Sequence, residues 1–225
     1  MRQSGFTLLE MTLSTSILAI VGLLSFVVIS SSTESAELAR AKSEIQGGLR
    51  DVMAAITGEA REAYTARTVA ATPPRSPAGV ASIQVSGNDD RITFQIPVRT
   101  DGPQMVIGST PIVIAHENED TNTGNGQNAI LDPGEDVNND GMLNRRVLRI
   151  QNGEQEVLGA SNDISGLRFE LRPNQNAFDN TPTTLFVWLE ASKRYCSGLK
   201  HIVRAEVESS LDLKNYRPSH IGRAN

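Results

Sequence analysis

The chain opens with an uninterrupted apolar run. Between Met11 and Thr33 no side chain carries a charge. A helix of about 23 such residues is long enough to cross the hydrocarbon core of a bilayer. Arg2 lies before the run, where a positive charge anchors a helix on the cytoplasmic side. The pattern predicts a transmembrane helix over residues 6–30.

Apolar side chains continue beyond this run at the spacing of one helical face. They are Leu38, Ile45, Leu49, Val52, Ile56, Ala60 and Ala63. Charged residues mostly occupy the other faces, which predicts an amphipathic half of the same helix over residues 31–66. The pair Gly47-Gly48 indicates either a kink or close packing of another backbone against this helix.

After the amphipathic half the pattern changes to a period of two. The segment TPPRSPAG, residues 72–79, predicts the end of the helix and a linker. Alternating segments typical of strands follow; they are residues 80–98, 104–115, 145–159, 164–173, 183–192 and 201–215. Asn152-Gly153 is typical of a tight hairpin turn.

These elements predict an α+β fold. A long N-terminal helix would pack on a C-terminal antiparallel β-sheet domain that comprises residues 67–225. Phe186 and Trp188 are predicted to lie in the core beneath the helix.

Composition narrows the classes of function. The net charge is -5 and the sequence pI is about 5.3, and no run of Lys and Arg is present. These values argue against a nucleic-acid-binding protein that relies on a basic surface. The chain has one cysteine, Cys196, so it cannot form an intramolecular disulfide. A lone cysteine is typically a small buried side chain.

The sequence does not resemble an enzyme. It contains no G-x-S-x-G, no phosphate-binding loop of the Walker type and no H-E-x-x-H. The three histidines, His116, His201 and His220, are scattered and lack the neighbours that a catalytic site requires. We therefore predict a role other than catalysis.

An acidic insertion interrupts the strand pattern at residues 117–144. It contains seven acids, seven asparagines and four glycines, with no Lys, Arg or His. Its charge of -7 exceeds the total of -5, so the rest of the chain sums to +2. Such a segment is either a solvated loop or a cation site.

Part of this insertion follows the spacing of an EF-hand-type calcium loop. Alternate oxygen-bearing side chains and a glycine for the sharp turn match its first nine positions; they are Asp136, Asn138, Asp140, Gly141 and Asn144. The backbone carbonyl of Met142 would take the seventh position.

The twelfth position departs from the EF-hand pattern. Val147 stands where the bidentate glutamate belongs. Asp132 and Glu135 are the candidates to complete the coordination. Oxygen ligands without His or Cys favour Ca²⁺ over zinc or copper. The loop is predicted to bind Ca²⁺, with a plain solvated loop as the alternative.

One acid, Glu10, lies at the start of the apolar run. A charge at mid-bilayer costs about 2.5 kcal/mol or more, so such a residue usually has a partner. A cleaved secretory signal would need an A-x-A-like site, and SSSTESAELA offers a poor one. An uncleaved signal anchor leaves Glu10 unexplained. A third interpretation places processing before the apolar run, after Gly5.

The segment GFTLLE, residues 5–10, resembles the processing site of type IV pilins and of the pseudopilins of type II secretion. The resemblance implies that a prepilin peptidase removes residues 1–5, cutting after Gly5, and methylates the new amino terminus at Phe6. It also makes Glu10 the family's fifth-position glutamate. In that role Glu10 would neutralise the ammonium of a neighbouring subunit and fix the axial register of assembly.

The segments VLGASNDISGLRFEL and VESSLDLKN are similar to parts of J-type minor pseudopilins and of large minor pilins. The resemblance implies a minor pseudopilin that initiates or caps a periplasmic pseudopilus. A minor pilin serving assembly, adhesion or DNA uptake is the alternative, and a monomeric membrane-anchored sensor is a third.

The same resemblance implies a location and a set of partners. The chain would cross the inner membrane once, with its C-terminal domain in the periplasm. It would contact other pseudopilins or pilins through the N-terminal helix. The prepilin peptidase and the inner-membrane assembly platform complete the expected partners.

Overall fold

The structure is a computed structural model. It describes residues 7–63, 83–101, 104–107, 110–117, 119–120, 131–132, 134–138, 141–173, 182–195 and 201–213. Several sequence predictions lie outside the described residues; they concern Gly5, Phe6, Asp140, Cys196 and the linker at 72–79.

One long helix, α1, spans Leu8–Ala60. Its buried side chains form one stripe along the second half; they are Ala41, Ile45, Leu49, Val52, Met53, Ile56 and Ala60. The predicted amphipathic face is therefore confirmed, except that Leu38 remains 40% exposed. Ala63, just beyond the helix, is also buried.

Ten strands follow the helix. They are β1 Gln84–Val85, β2 Arg91–Phe94, β3 Pro97–Asp101, β4 Gln104–Ile107, β5 Ile112–Glu117, β6 Arg146–Gln151, β7 Glu154–Leu158, β8 Ile164–Pro173, β9 Pro182–Tyr195 and β10 His201–Asp212. All strand pairs are antiparallel. The predicted α+β class is confirmed.

The described strands form three sheets, whereas the sequence predicted a single sheet. A five-stranded sheet has the order β1-β2-β5-β6-β7, a three-stranded sheet has the order β10-β9-β8, and β3 pairs with β4. The predicted Asn152-Gly153 turn joins β6 to β7, and both of its residues have positive φ, at 56° and 83°. This conformation is that of a tight type I′ hairpin.

The two larger sheets meet along β8. The amide of Phe169 donates to the carbonyl of Asp89 at 2.7 Å, and Arg145 and Ile164 exchange two backbone hydrogen bonds. The Nε2–H of His116 donates to the carbonyl of Ile164 at 2.9 Å. Burial lowers the pKa of His116, which favours the neutral ring at this contact. These bonds join the sheets into one layered body.

Helix α1 packs on β9, β10 and the end of β7. Two glycines allow α1 to approach the residues after β7 closely. A Cβ at Gly159 would lie 2.6 Å from Val52 Cγ2, and one at Gly48 would lie 2.8 Å from Ser161 Cβ. The amphipathic half of the helix thus shares one hydrophobic core with the strands.

Helix α1 continues through Gly47-Gly48 without interruption. A Cβ at Gly47 would meet no atom within 4 Å, whereas one at Gly48 would overlap Ser161. Of the two sequence interpretations, the structure supports close packing, and it assigns that packing to Gly48.

We expect Gly48→Ala to destabilise the protein and Gly47→Ala to stabilise it. Alanine favours a helix over glycine by up to about 1 kcal/mol at either position. At Gly48 a steric cost of about 1–3 kcal/mol exceeds this gain. Thermal unfolding of the full chain in detergent micelles measures both effects. Adding Ser161→Gly to Gly48→Ala should restore stability. An equal gain from the two single variants would contradict the close contact.

The prediction for Phe186 and Trp188 is wrong. In β9 the side chains of Leu185, Val187 and Leu189 are fully buried toward the core. Because side chains alternate along a strand, Phe186 and Trp188 lie on the opposite face of the sheet. Both are partly exposed there and do not belong to the core beneath the helix.

Candidate functional site

Glu10 forms a reciprocal cap with Thr7 at the start of α1. The amide of Glu10 donates to Thr7 Oγ1 at 3.3 Å, and the amide of Thr7 donates to Glu10 Oε2 at 2.9 Å. The Thr7 hydroxyl also donates to Glu10 Oε2 at 3.1 Å. This arrangement is a capping box, which satisfies backbone donors that the first turn leaves open. It fixes the carboxylate at the head of the helix.

The sequence prediction missed Thr7. The signal was present, because Thr followed three residues later by Glu, just before an apolar run, is the signature of a capping box. Thr7 is therefore a positioning residue for Glu10. The pairing of Glu10 with the amino group of Phe6 in a neighbour stays a prediction, since Phe6 lies outside the described residues.

The first half of α1 exposes a membrane-length apolar surface. Leu8 is 83% exposed and Phe26 is 71% exposed, and the other large apolar side chains from Leu9 to Ile29 are all more than half exposed. Within the described residues, α1 is the one helix long and apolar enough to cross a membrane, judged by length and composition. This fits a single-pass membrane anchor with a carboxylate near its start.

The acidic insertion contains the sharp turn that the calcium-loop pattern predicts. Gly141 adopts a φ of 71°, which glycine tolerates better than other residues. Its amide donates to Asp136 Oδ2 at 2.8 Å. The first and sixth positions of the predicted loop are therefore in direct contact.

Asn138 and Asn144, two further predicted ligands, lie together. Asn138 Nδ2 donates to Asn144 Oδ1 at 3.0 Å. Asn144 is fully buried, and its Nδ2 donates to the carbonyl of Ser192 on β9 at 2.6 Å. Met142, the predicted carbonyl ligand, lies in the same turn and is partly buried. The loop is thus fixed to the three-stranded sheet.

Asp132 and Glu135 form a small turn of their own just before the loop. The amide of Glu135 donates to the carbonyl of Asp132 at 3.1 Å, and the amide of Asp132 donates to Glu135 Oε2 at 3.0 Å. Glu135 is only 1% exposed. These contacts place both predicted ligands in one turn, with one carboxylate oxygen of Glu135 bonded to backbone.

Glu119 is a buried carboxylate that the sequence prediction did not single out. Its Oε1 accepts hydrogen bonds from the amides of Val137 at 3.1 Å and Asn138 at 3.2 Å. It lies two residues after β5, so it ties the loop to the end of that strand. The only sequence signal was its place among acids at a strand end. Among the described residues, no group of three or more His, Cys, Asp or Glu side chains converges as a metal cluster.

The fold and the N-terminal geometry define a class of protein. A capped carboxylate, an exposed apolar helix and a sheet domain packed on the same helix form a pilin-like α+β arrangement. The prokaryotic N-terminal methylation motif matches residues 1–26 and supports a type IV pilin-like protein. Comparisons with curated proteins and with solved structures found no match.

Proposed function

We propose that this protein is a minor pseudopilin of a type II secretion system. It would serve as a structural subunit that initiates or caps the periplasmic pseudopilus. The N-terminal methylation motif and the single long apolar helix support this role. The observation that carries it is the capped Glu10 at the head of that helix. A minor pilin of a type IV pilus uses the same arrangement and is the alternative.

The continuity of α1 gives this proposal its physical basis. The exposed apolar half and the buried amphipathic half belong to one helix, from Leu8 to Ala60. Salt bridges at 2.9 Å from Lys193 to Glu44 and at 3.0 Å from Arg149 to Glu59 join it to β9 and β6. A subunit that packs through its apolar half would therefore carry the sheet domain with it. This is what a filament subunit requires.

The mature chain is expected to start at methylated Phe6. Coexpression with a prepilin peptidase, followed by intact-mass measurement, should show loss of Met1 to Gly5 and the gain of one methyl group. Gly5→Glu is the control that should block cutting, because the peptidase must approach the backbone closely at that residue. A membrane-bound chain that keeps residues 1–5 beside an active peptidase would contradict the assignment.

The choice between the two systems requires the identity of the neighbours. A photoreactive residue in place of Ile17, which is 54% exposed on α1, would capture the subunits that pack against the helix. Mass spectrometry of the crosslinked products then names them. Pseudopilins among the products support the type II secretion role, and pilins support the alternative.

We also propose that the acidic insertion binds Ca²⁺. The ligands would come from Asp132, Glu135, Asp136, Asn138, Asp140, Met142 and Asn144. The support is geometric: the amide of Gly141 donates to Asp136 Oδ2 at 2.8 Å, and Asn138 Nδ2 donates to Asn144 Oδ1 at 3.0 Å, so the first loop position contacts the sixth and the third contacts the ninth. A divalent cation bound there would offset the negative charge of the loop. The ion would act structurally, by ordering the loop on the sheet.

Calcium is expected to raise the melting temperature of the full chain in detergent micelles. At ten times its Kd, a ligand that binds only the folded state adds about 1.4 kcal/mol, or roughly 4 °C for a chain of this size. Asp136→Asn with Asp140→Asn should abolish this rise. Glu154→Gln with Glu156→Gln on β7 removes the same charge elsewhere and should preserve it. Identical melting in EGTA and in excess calcium would return the segment to a solvated loop.

A further inference from the structure

The two ends of the acidic insertion meet at one backbone carbonyl group. His116 comes directly before the insertion and Arg145 comes directly after it. The carbonyl oxygen of Ile164, the first residue of β8, accepts from the Nε2–H of His116 at 2.9 Å and from the amide of Arg145 at 2.7 Å. The amide of Ile164 donates to the carbonyl of Arg145 at 2.8 Å. We call these three residues the insertion base.

The shared carbonyl makes each donor of the insertion base hard to replace. A carbonyl oxygen has two lone pairs, and the two donors use both. Ile164 is fully buried, so water does not reach this oxygen while the base is closed. Loss of the His116 bond would leave a buried acceptor partly unsatisfied and would weaken the link between β5 and β8. The insertion is therefore held to both larger sheets through this contact.

The contact with Ile164 defines the proton on the imidazole ring of His116. A carbonyl group only accepts, so Nε2 carries the proton, and the neutral ring has none on Nδ1. Protonation adds an N–H group at Nδ1 and a full positive charge. Among the residues that the structure describes, none accepts a hydrogen bond from Nδ1. A charge on this partly buried ring is therefore less stable than a charge in water.

The elements around His116 bring charged side chains of both signs to the insertion base. They are Asp89 and Asp90 before β2, Glu117 on β5, Arg145 and Arg146 at the start of β6, and Asp163 before β8. Glu117 is paired with both arginines, at 3.3 and 2.5 Å, and Asp163 is paired with Lys193 at 3.5 Å. Burial lowers the pKa of His116 and outweighs the attraction of Asp90 and Glu117. The neutral ring is thus the one that fits the closed base.

The direction of the pH effect follows from this difference. The pKa of His116 is lowered while the base is closed, and an exposed ring has the ordinary pKa of about 6.5. Between the two pKa values the open form binds more protons than the closed form, so acid favours opening. The stability of the closed base is complete well above pH of about 6.5 and falls as the pH drops below it.

We propose that protonation of His116 opens the insertion base, so that acid loosens the acidic insertion while the three-stranded sheet stays folded. Strands β9 and β10 pair over the whole range from His201 to Asp212, and α1 packs on both. These contacts do not pass through the insertion base. The insertion is then a pH-responsive segment in a pseudopilin or a pilin alike, whether or not it binds Ca²⁺.

The test is hydrogen exchange of the full chain in detergent micelles at about pH 7.5 and about pH 5.5, corrected for the intrinsic rates. Carboxylates, with an ordinary pKa of about 4, stay ionised over this range. EGTA in every sample removes any contribution of a bound cation. Protection of the Arg145 and Ile164 amides is expected to fall by about threefold to tenfold at the lower pH, tenfold being the limit for one histidine. Protection in β9 and β10 is expected to change by less than about twofold.

Histidine variants assign the effect to one ring. Glutamine at position 116 can donate to the Ile164 carbonyl but does not titrate, so His116→Gln should show equal protection at both pH values. His201→Gln removes another histidine and should keep the fall. An unchanged fall in His116→Gln, equal protection of the wild-type base at both pH values, or a parallel loss in β9 and β10 would overturn the proposal.

An independent measurement uses the wild-type chain alone. Nuclear magnetic resonance of the His116 ring carbons follows its protonation directly in micelles. The midpoint is expected below the ordinary value of about 6.5, and loss of protection should follow the same titration. A midpoint at or above this value would overturn the proposal, even where His116→Gln weakens the base at both pH values.

Discussion

Replacing Gly159 with alanine is expected to destabilise the protein by about 3 kcal/mol, through overpacking and a strained backbone. Gly159 has a φ of 76°, and an added Cβ would lie 2.6 Å from Val52 Cγ2 and 3.0 Å from the backbone nitrogen of Val52. The helix backbone cannot yield locally, because Val52 itself is fully buried. The contact between α1 and the end of β7 would therefore open.

Gly153→Ala is the matched control for this variant. Gly153 has a φ of 83°, but a Cβ there would meet no atom within 4 Å. Gly153→Ala is expected to lower the free energy of unfolding by about 1 kcal/mol, through the strain of an alanine at positive φ alone. The difference of about 2 kcal/mol should appear as a gap of roughly 6 °C between the two melting temperatures. Equal melting temperatures would show that α1 does not pack closely against Gly159.

The helix and most strands could be predicted because their signals are local. The spacing from Ile45 to Ala60 marks a single stripe, and that stripe is the buried one. The segment ISGLRFELRP, in which apolar and polar residues alternate, has the same bounds as β8. The pairing of β8 with β9 covers the same residues. Asn152-Gly153 specifies a turn through its own backbone preferences. Each of these signals is contained in neighbouring positions of the chain.

The face of a strand could not be predicted where both faces are apolar. In β9 the odd-numbered Leu185, Val187 and Leu189 alternate with Phe186 and Trp188. Alternation shows which residues share a face, but the packing of α1 decides which face is covered. The sequence predicts both aromatic residues in the core. The aliphatic residues occupy it instead, and the indole of Trp188 lies on the outer face against the backbone of Gly166.

In the acidic insertion, too, the sequence predicts the local contacts of the candidate site but not the long-range ones. The turn at Gly141 and its bond to Asp136 follow from local spacing. The anchoring of Asn144 to Ser192 joins residues 48 positions apart, and Glu119 reaches Asn138 across 19 positions. Such contacts arise only when β5 and β9 are in place. Sequence spacing can therefore suggest ligands without showing what holds them.

Replacing Glu10 with glutamine is expected to abolish assembly while leaving the helix start intact. Glutamine at the third helical position still completes a capping box with Thr7, so the hydrogen bonds to backbone persist. The negative charge is lost, and a neighbour's ammonium in the apolar layer would then lack its counter-charge. An unpaired charge in such surroundings costs several kcal/mol. Crosslinks formed from position 17 should fall by at least about tenfold.

Thr7→Val is the complementary control for this experiment. Valine removes the hydroxyl that accepts from the Glu10 amide and donates to the Glu10 carboxylate. The negative charge of Glu10 is kept, and so is the backbone amide of residue 7 that donates to it. Loss of a side-chain cap costs about 1 kcal/mol of helix stability, so crosslinking should persist at a reduced level. Normal crosslinking by Glu10→Gln would show that the charge is dispensable. Equal loss in both variants would assign Glu10 a capping role and remove it as the determinant of register.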